Sequence, residues 1–479
     1  MAVSVGSGFC LFLTEDGNVY SCGLNTEGQL GVGDREQRVQ PVLINHDEQI
    51  MGNESVIMVS AGGGHSGCVT EEGAVWIWGS NNYGQLGLPT MAAGSTIPLC
   101  VYNSALLTHL PVRPPAVMVA CGCHFTLVLT ASGQVMSCGE NNQGQLGTGD
   151  LRQRHELTPI DRGLFVGVHG EPMAIGMVVA GLDFSMAISQ EGGALWTWGN
   201  NCLGQLGHGT FGVDSRLGIP TKMLATALDG RAVEFVAGGW DNMLIVTSGG
   251  QLWGCGRGSR GQLGLDTTQF SCTHVNPCQC CVPTPLRIGQ HQDFGPRGAR
   301  MVACGHDHSL MVGHNNVVWS CGSKYCAALG RDTSNAIQHQ RLFTRIDPTL
   351  FAPDADIRCI AANEKLSVAV TSVGHLYTWG RGHTTHSCGH GYATTVLSQY
   401  IPHHVEATYF GESRIGRWHW MRADRILAFV MGLHARLGAN TVYACMPPEI
   451  LREMMQYMRF RYSHRTFCRI RDLLGCDGD

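Results

Sequence analysis

The sequence predicts an all-β fold: a seven-bladed β-propeller of four-stranded blades, followed by a small α-helical tail. Three observations carry that prediction. The phrase GQLG keeps returning, as NTEGQLG from Asn25, NNYGQLG from Asn81, NNQGQLG from Asn141, NNCLGQLG from Asn200 and SRGQLG from Ser259. Seven segments end in an aromatic residue or Cys followed by Gly, at Gly23, Gly79, Gly139, Gly199, Gly256, Gly322 and Gly380, a period near 60 residues. Glycine supplies 64 of the 479 residues, about twice the usual share, without the Gly-X-Y period of collagen.

Each unit opens on a short apolar run that breaks at a polar or glycine turn. The runs are VSVGSG from Val3, VSAGGG from Val59, VACGCH from Val119, VVAGLD from Val178, FVAGGW from Phe235, MVACGH from Met301 and CIAANE from Cys359. Apolar, β-branched runs of this length read as strands. A second run follows, TLVLT at 126–130 being an example. A turn such as Glu15-Asp16-Gly17 or Ala131-Ser132-Gly133 then leads to a third run, such as QVMSCG. Asp-Gly and Ser-Gly between apolar runs signal hairpins. The fourth strand is a proline phrase, with Pro41-Val42, Pro159-Ile160 and Pro402 as examples. Proline there implies an outer edge, where a missing N–H costs little. Four strands repeated seven times make a propeller.

GQLG falls where the third strand ends and the chain leaves for the outer strand. Its first Gly permits positive φ, its Leu plugs the gap between blades, and its second Gly allows close backbone approach. Its Gln is placed to hydrogen-bond the irregular backbone of the corner. A phosphate cradle would need a following helix and a Lys, and neither is present.

The pattern GxVYxWGxNxxGQLG, preceded by AGxxHSxxLT, resembles the repeat of the regulator of chromosome condensation family over roughly residues 3–405. The resemblance implies a seven-bladed propeller, and, from the family's activities, guanine-nucleotide exchange on the small GTPase Ran and docking onto nucleosomes. No exchange residue is carried over, because the repeat motif does not specify the face loops. Repeat six departs with AALG at 327–330 and repeat seven with RGHTTHSCGHG at 381–391, so less regular corners are expected there.

Composition narrows the classes. Net charge is −5 overall, and residues 411–479, with 11 Arg against 7 acids, carry +4, which leaves −9 on the first 410. An acidic body argues against direct nucleic-acid binding, which needs clustered cations. The only lysines are Lys222, Lys324 and Lys365, against 29 arginines. No apolar run approaches the ~20 residues that cross a bilayer, and the N-terminus lacks a basic region and cleavage site. An intracellular protein, cytoplasmic or nuclear, is expected. Its 21 cysteines then read as reduced thiols in strands.

Catalytic constellations do not emerge: there is no nucleophile elbow and no recurring pair of carboxylates, so a non-enzyme without cofactors is expected. His65, His124 and His308, with Asp183, Asp241 and Leu366 elsewhere, read as one repeat position of strand-end hydrogen-bonders. The metal-like cluster CTHVNPCQCC at 272–281 offers Cys272, His274, Cys278, Cys280 and Cys281 to zinc, but lacks the usual Cys-x2-Cys knuckle.

Beyond 405 the β pattern stops, and 406–479 reads as a helical tail. Residues 421–437 read as one helix, closed by Gly438. Pro447 and Pro448 open a second, in which Ile450, Leu451, Met454, Met455 and Met458 share one apolar face. A third is expected near 465–474. MPPEILREMMQYM, around 446–460, resembles the opening of an F-box, which implies contact with the adaptor subunit of a cullin-type ubiquitin ligase. The tail also resembles those of proteins from large amoeba-infecting DNA viruses, implying a host-cell or virion location. The expected function is a protein-interaction scaffold whose propeller face holds a partner and whose tail recruits a ligase. The alternatives are an exchange factor or chromatin binder, and a structural or packaging protein of a virus particle.

Overall fold

The computed structural model describes residues 3–405, apart from 45–53, 90–93, 104–113, 168, 266–280, 290–293, 296, 324, 326, 332–338, 353–355 and 382–397. The expected helical tail, with Pro447, Pro448, Ile450, Leu451, Met454, Met455 and Met458, lies outside the described residues, as do Cys272, His274, Cys278 and Cys280.

Seven antiparallel four-stranded sheets form the molecule, at 3–43, 56–102, 116–159, 175–222, 233–288, 299–345 and 357–405. Within each blade the strands pair in chain order, so the first is innermost and the fourth outermost. The second strand is buried along its whole length, Phe125–Thr130 for example. It is sandwiched in its own sheet and covered by neighbouring blades on both faces, so it shows no polar alternation. Pro41, Pro98, Pro159, Pro220, Pro283, Pro285 and Pro402 all fall in outermost strands. Short 3-10 turns, such as Arg162–Leu164, link outer strands to the next blade. No helix among the described residues is long and apolar enough to cross a membrane.

The ring closes without a shared blade. Blade one takes all four strands from 3–43 and blade seven all four from 357–405. Val3, Val5, Cys10, Phe12 and Cys22 pack against Leu366, Val368 and Val370 across that junction. Asn363 Nδ2 donates to the carbonyl of Val5 at 3.0 Å.

The corner phrase is an inter-blade clasp. Gln145 Oε1 accepts from the backbone of Gln143 at 2.9 Å, which folds the corner. The Gln145 carbonyl then receives Ser185 Oγ at 2.7 Å and Trp198 Nε1 at 2.9 Å, both from the next blade. Gln29 is used alike by Ser66 and Trp78. Where the third strand carries Cys instead of Trp, the thiol takes that role: Cys138 reaches the Gln85 carbonyl at 3.5 Å and Cys255 that of Gln205 at 3.5 Å. This explains why the segment ends in either Trp-Gly or Cys-Gly, since each supplies a donor to the same carbonyl. The corner leucines Leu30, Leu86, Leu146, Leu206, Leu263 and Leu329 are fully buried. Gly147 has φ +71 and its α-carbon faces Trp198, where a side chain would meet the indole nitrogen.

Blade six corrects an expectation. Its AALG corner keeps the repeat geometry, because Ala327 itself adopts φ +53. The Ala328 carbonyl accepts Ser367 and Trp379, both at 2.9 Å. The corner of blade seven lies outside the described residues.

The histidine column is also corrected, because it contains two structural positions. His65 and His308 begin second strands and are fully buried, as Leu366 begins its own. His124, Asp183 and Asp241 precede that strand by one residue and lie on the rim. Thr126 gives its single proton to Gln85, so His65 Nε2 must donate to Thr126 Oγ1, at 2.9 Å. The described cysteines are free thiols, and burial pushes those of Cys121 and Cys304 up to about 12.

Candidate interaction face

In an up-and-down blade, the turn between strands one and two and the corner after strand three share one end. That end is a ring of seven short turns around the mouth of the central channel. Neighbouring turns are tied by backbone hydrogen bonds: Ser7 N to Gly62 O at 3.1 Å, Gly63 N to Gly122 O at 3.0 Å, Cys123 N to Leu182 O at 3.0 Å and His306 N to Glu364 O at 3.0 Å. The scaffold is therefore rigid where it presents side chains.

Two sequence positions per blade meet there. One is the residue before the second strand: Gly8, Gly64, His124, Asp183, Asp241, Asp307 and Lys365. The other follows the Trp-Gly or Cys-Gly pair: Leu24, Ser80, Glu140, Asn200, Arg257 and Ser323. Each residue of the second set donates its backbone N–H to the carbonyl of the first, as in Glu140 to His124 at 2.9 Å and Arg257 to Asp241 at 2.7 Å. The repeat thus sets variable side chains side by side on an invariant frame.

Blades three to five make an acidic arc. Asp183 is half-buried, with no hydrogen bond or ion pair to its carboxylate among the described residues. Burial, and then the charges of Glu140 and Asp241, push its pKa up to about 6. Burial also raises Glu140, whose carboxylate accepts from Asn142 at 2.6 Å. Asp241 is raised by burial, against the pull of Arg257. Cys123, at the mouth, is held up at about 12 by burial and by Asp183, Glu140 and Glu364.

Blades five and six carry the opposite arrangement. Asp307 is buried between Arg257, 3.6 Å away, and Arg260, 3.5 Å away. Trp240 stacks on His306 with ring centroids 3.8 Å apart. Burial, ahead of the nearby cations, lowers His306. On the other side of the ring Tyr83 stacks on His124 at 4.7 Å. The face therefore offers aromatic surface, an acidic arc centred on the unpartnered Asp183 and a neutralised cationic cluster.

Of the sequence-expected metal cluster, Cys281 alone is among the described residues. Cys281 starts the outer strand of blade five opposite Arg257, and no group of three or more metal-binding side chains forms among the described residues. Glu140, Arg257 and Arg260 were not singled out from sequence. The signal was available: the position after the Trp-Gly or Cys-Gly pair changes from Leu or Ser to Glu, Asn and Arg within an otherwise constant phrase.

A family model described as the RCC1-like domain matches residues 1–294. The chain is 32% identical over 266 residues to the ultraviolet-B receptor UVR8 of Arabidopsis thaliana, covering 55% of this chain and 54% of that one. It is 32% identical over 312 residues to the E3 ubiquitin-protein ligase HERC2 of Homo sapiens, covering 65% of this chain and 6% of that protein. The chain thus spans about half of the first relative and a small part of the second. Among solved structures, human WBSCR16 aligns with TM-score 0.65 at 23% identity, over 81% of this chain and 94% of that one. Yeast RCC1 (Prp20), bound to Kap60, aligns with TM-score 0.65 at 21% identity, over 82% and 84%. At these identities the two structures speak for the fold. With its seven blades, its clasped corners and a family match over more than half its length, the chain belongs to the RCC1-like domain family.

Proposed function

We propose that the chain is a non-catalytic protein-interaction scaffold, and that its rim face holds a basic segment of a protein partner. The observation that carries this reading is Asp183. An unpaired, half-buried carboxylate beside two like charges is costly in the free protein. A Lys or Arg from a partner would relieve that cost, while Tyr83 and Trp240 supply aromatic contact of the kind that anchors interfaces. The test is fluorescence anisotropy with a labelled Lys/Arg-rich decapeptide. Binding that weakens with salt and is lost in Asp183→Asn supports the reading, and binding indifferent to Asp183 refutes it.

The F-box-like phrase supports a second partner, a ubiquitin-ligase adaptor held by Ile450, Leu451, Met454, Met455 and Met458. Co-purification with the full chain, a version ending at residue 410 and Leu451→Asp tests it: the adaptor should be lost in both variants. Exchange on a small GTPase, which the family resemblance implies, is read directly by nucleotide release with and without the protein.

A further inference from the structure

The inner strands carry a second ring, deeper in the channel. Six residues before Gly64, His124, Asp183, Asp241, Asp307 and Lys365 stand Met58, Met118, Met177, Phe235, Met301 and Cys359, in blades two to seven. All six are half-buried. Their covered sides pack on the inter-blade cores, and Met118 Sδ accepts the backbone N–H of Val178 at 3.3 Å. The inner strands border only the channel on their free side, so the uncovered sides face it. Between this ring and the mouth the side chains are small: Ser60, Ala120, Val179, Ala237, Ala303 and Ala361. A channel with an acidic mouth, a lining of small side chains and an apolar ring below suits a chain with a cationic stretch and an apolar end. Methionine suits such a ring because it is unbranched and adapts to varied apolar shapes.

We propose that the channel takes the extended end of the basic partner, with apolar residues of that end seated on the Met58, Met118 and Met177 arc. The proposal rests on the reading of the rim given above. It fixes a spacing. Six residues of strand span roughly 20 Å, so the apolar residues should stand about six positions from the Lys or Arg that meets Asp183. The partner's end is taken rather than an internal loop, because an extended end meets the rim and the ring with a single stretch of chain.

The test uses the full chain and labelled decapeptides with an apolar pair at one free end and a Lys-Arg pair six positions inward. The controls carry Ser-Ser at the end, or the basic pair directly beside the apolar one. Peptides of both chain directions are compared. The correctly spaced apolar peptide should bind roughly tenfold more tightly than the Ser-ended one in one direction. Met177→Gln should remove that difference and Met177→Leu should keep it. In the unmutated protein, bound peptide should slow peroxide oxidation of Met118 and Met177 several-fold, with Met136 on the third strand of blade three as the unprotected reference. Equal affinity of all peptides without protection of Met118 and Met177 overturns the channel proposal and leaves the rim reading intact. Protection of these methionines that survives Asp183→Asn with unchanged affinity places entry at the opposite mouth and overturns both. Absence of any binding also overturns both.

Discussion

Trp198 donates its indole N–H to the carbonyl of Gln145 in the preceding blade at 2.9 Å, while Trp196, two residues earlier and equally buried, has no partner for its own among the described residues. The pair separates the clasp from simple burial. Replacement by Phe removes similar volume at both sites. Trp198→Phe also leaves the Gln145 carbonyl with Ser185 alone. We expect Trp198→Phe to cost about 1–2 kcal/mol more than Trp196→Phe, measured by urea unfolding. Equal costs would mean that the clasp adds nothing beyond packing.

Ring closure should respond to Asn363. Its side chain makes the hydrogen bond from blade seven to Val5 in blade one. Asn363→Ala should destabilise by about 1 kcal/mol, read as a lower urea midpoint with an unchanged slope.

Acid stability is set in part by the buried histidines. Burial, the largest cause, holds His65 at about 3 and His308 at about 4, below the usual 6.5. The unfolded chain therefore takes up protons first. The stability these groups contribute is full above pH 6.5 and is lost as the pH falls toward 4 and then 3. His65→Phe and His308→Phe install the residue type that blades three and four use at this position, Phe125 and Phe184. Both variants should flatten the loss of stability on acidification, followed by thermal melts across that pH range.

Partner binding should show its own pH dependence. With a pKa of about 6, Asp183 is charged at neutral pH and protonates just below it. Binding of the basic decapeptide should therefore weaken as the pH falls through 6. Asp183→Asn should bind weakly at every pH, with that step gone. A step that persists in Asp183→Asn would assign it to His124 or His306 instead.

Blade number, strand order and the burial of GQLG were legible in the sequence because they repeat. Leu146 and Gln145 recur as Leu86 and Gln85, and repetition exposes a shared role. The rim was harder to read for the same reason. Asp183 shares its structural position with Gly64, His124 and Lys365, so no single residue type marks that position around the ring. Grouping His65 with His124 shifted the register by one residue, which in a strand exchanges a core position for a rim position. Ring closure was not legible, since the contact between Asn363 and Val5 joins residues 358 apart. The role of Cys138 as a donor became visible only when its sulfur was seen against the Gln85 carbonyl.

The most direct measurement is a charge reversal on the rim against an equal reversal elsewhere. Asp183→Lys changes the arc, and Glu156→Lys changes an exposed acid on the outer strand of blade three. Affinity for the Lys/Arg decapeptide is measured for both, with melting curves to confirm folding. We predict that Asp183→Lys abolishes binding and Glu156→Lys leaves it unchanged within about twofold. Equal loss in both variants would reduce the interaction to net charge, and no loss in Asp183→Lys would remove the rim as the binding face.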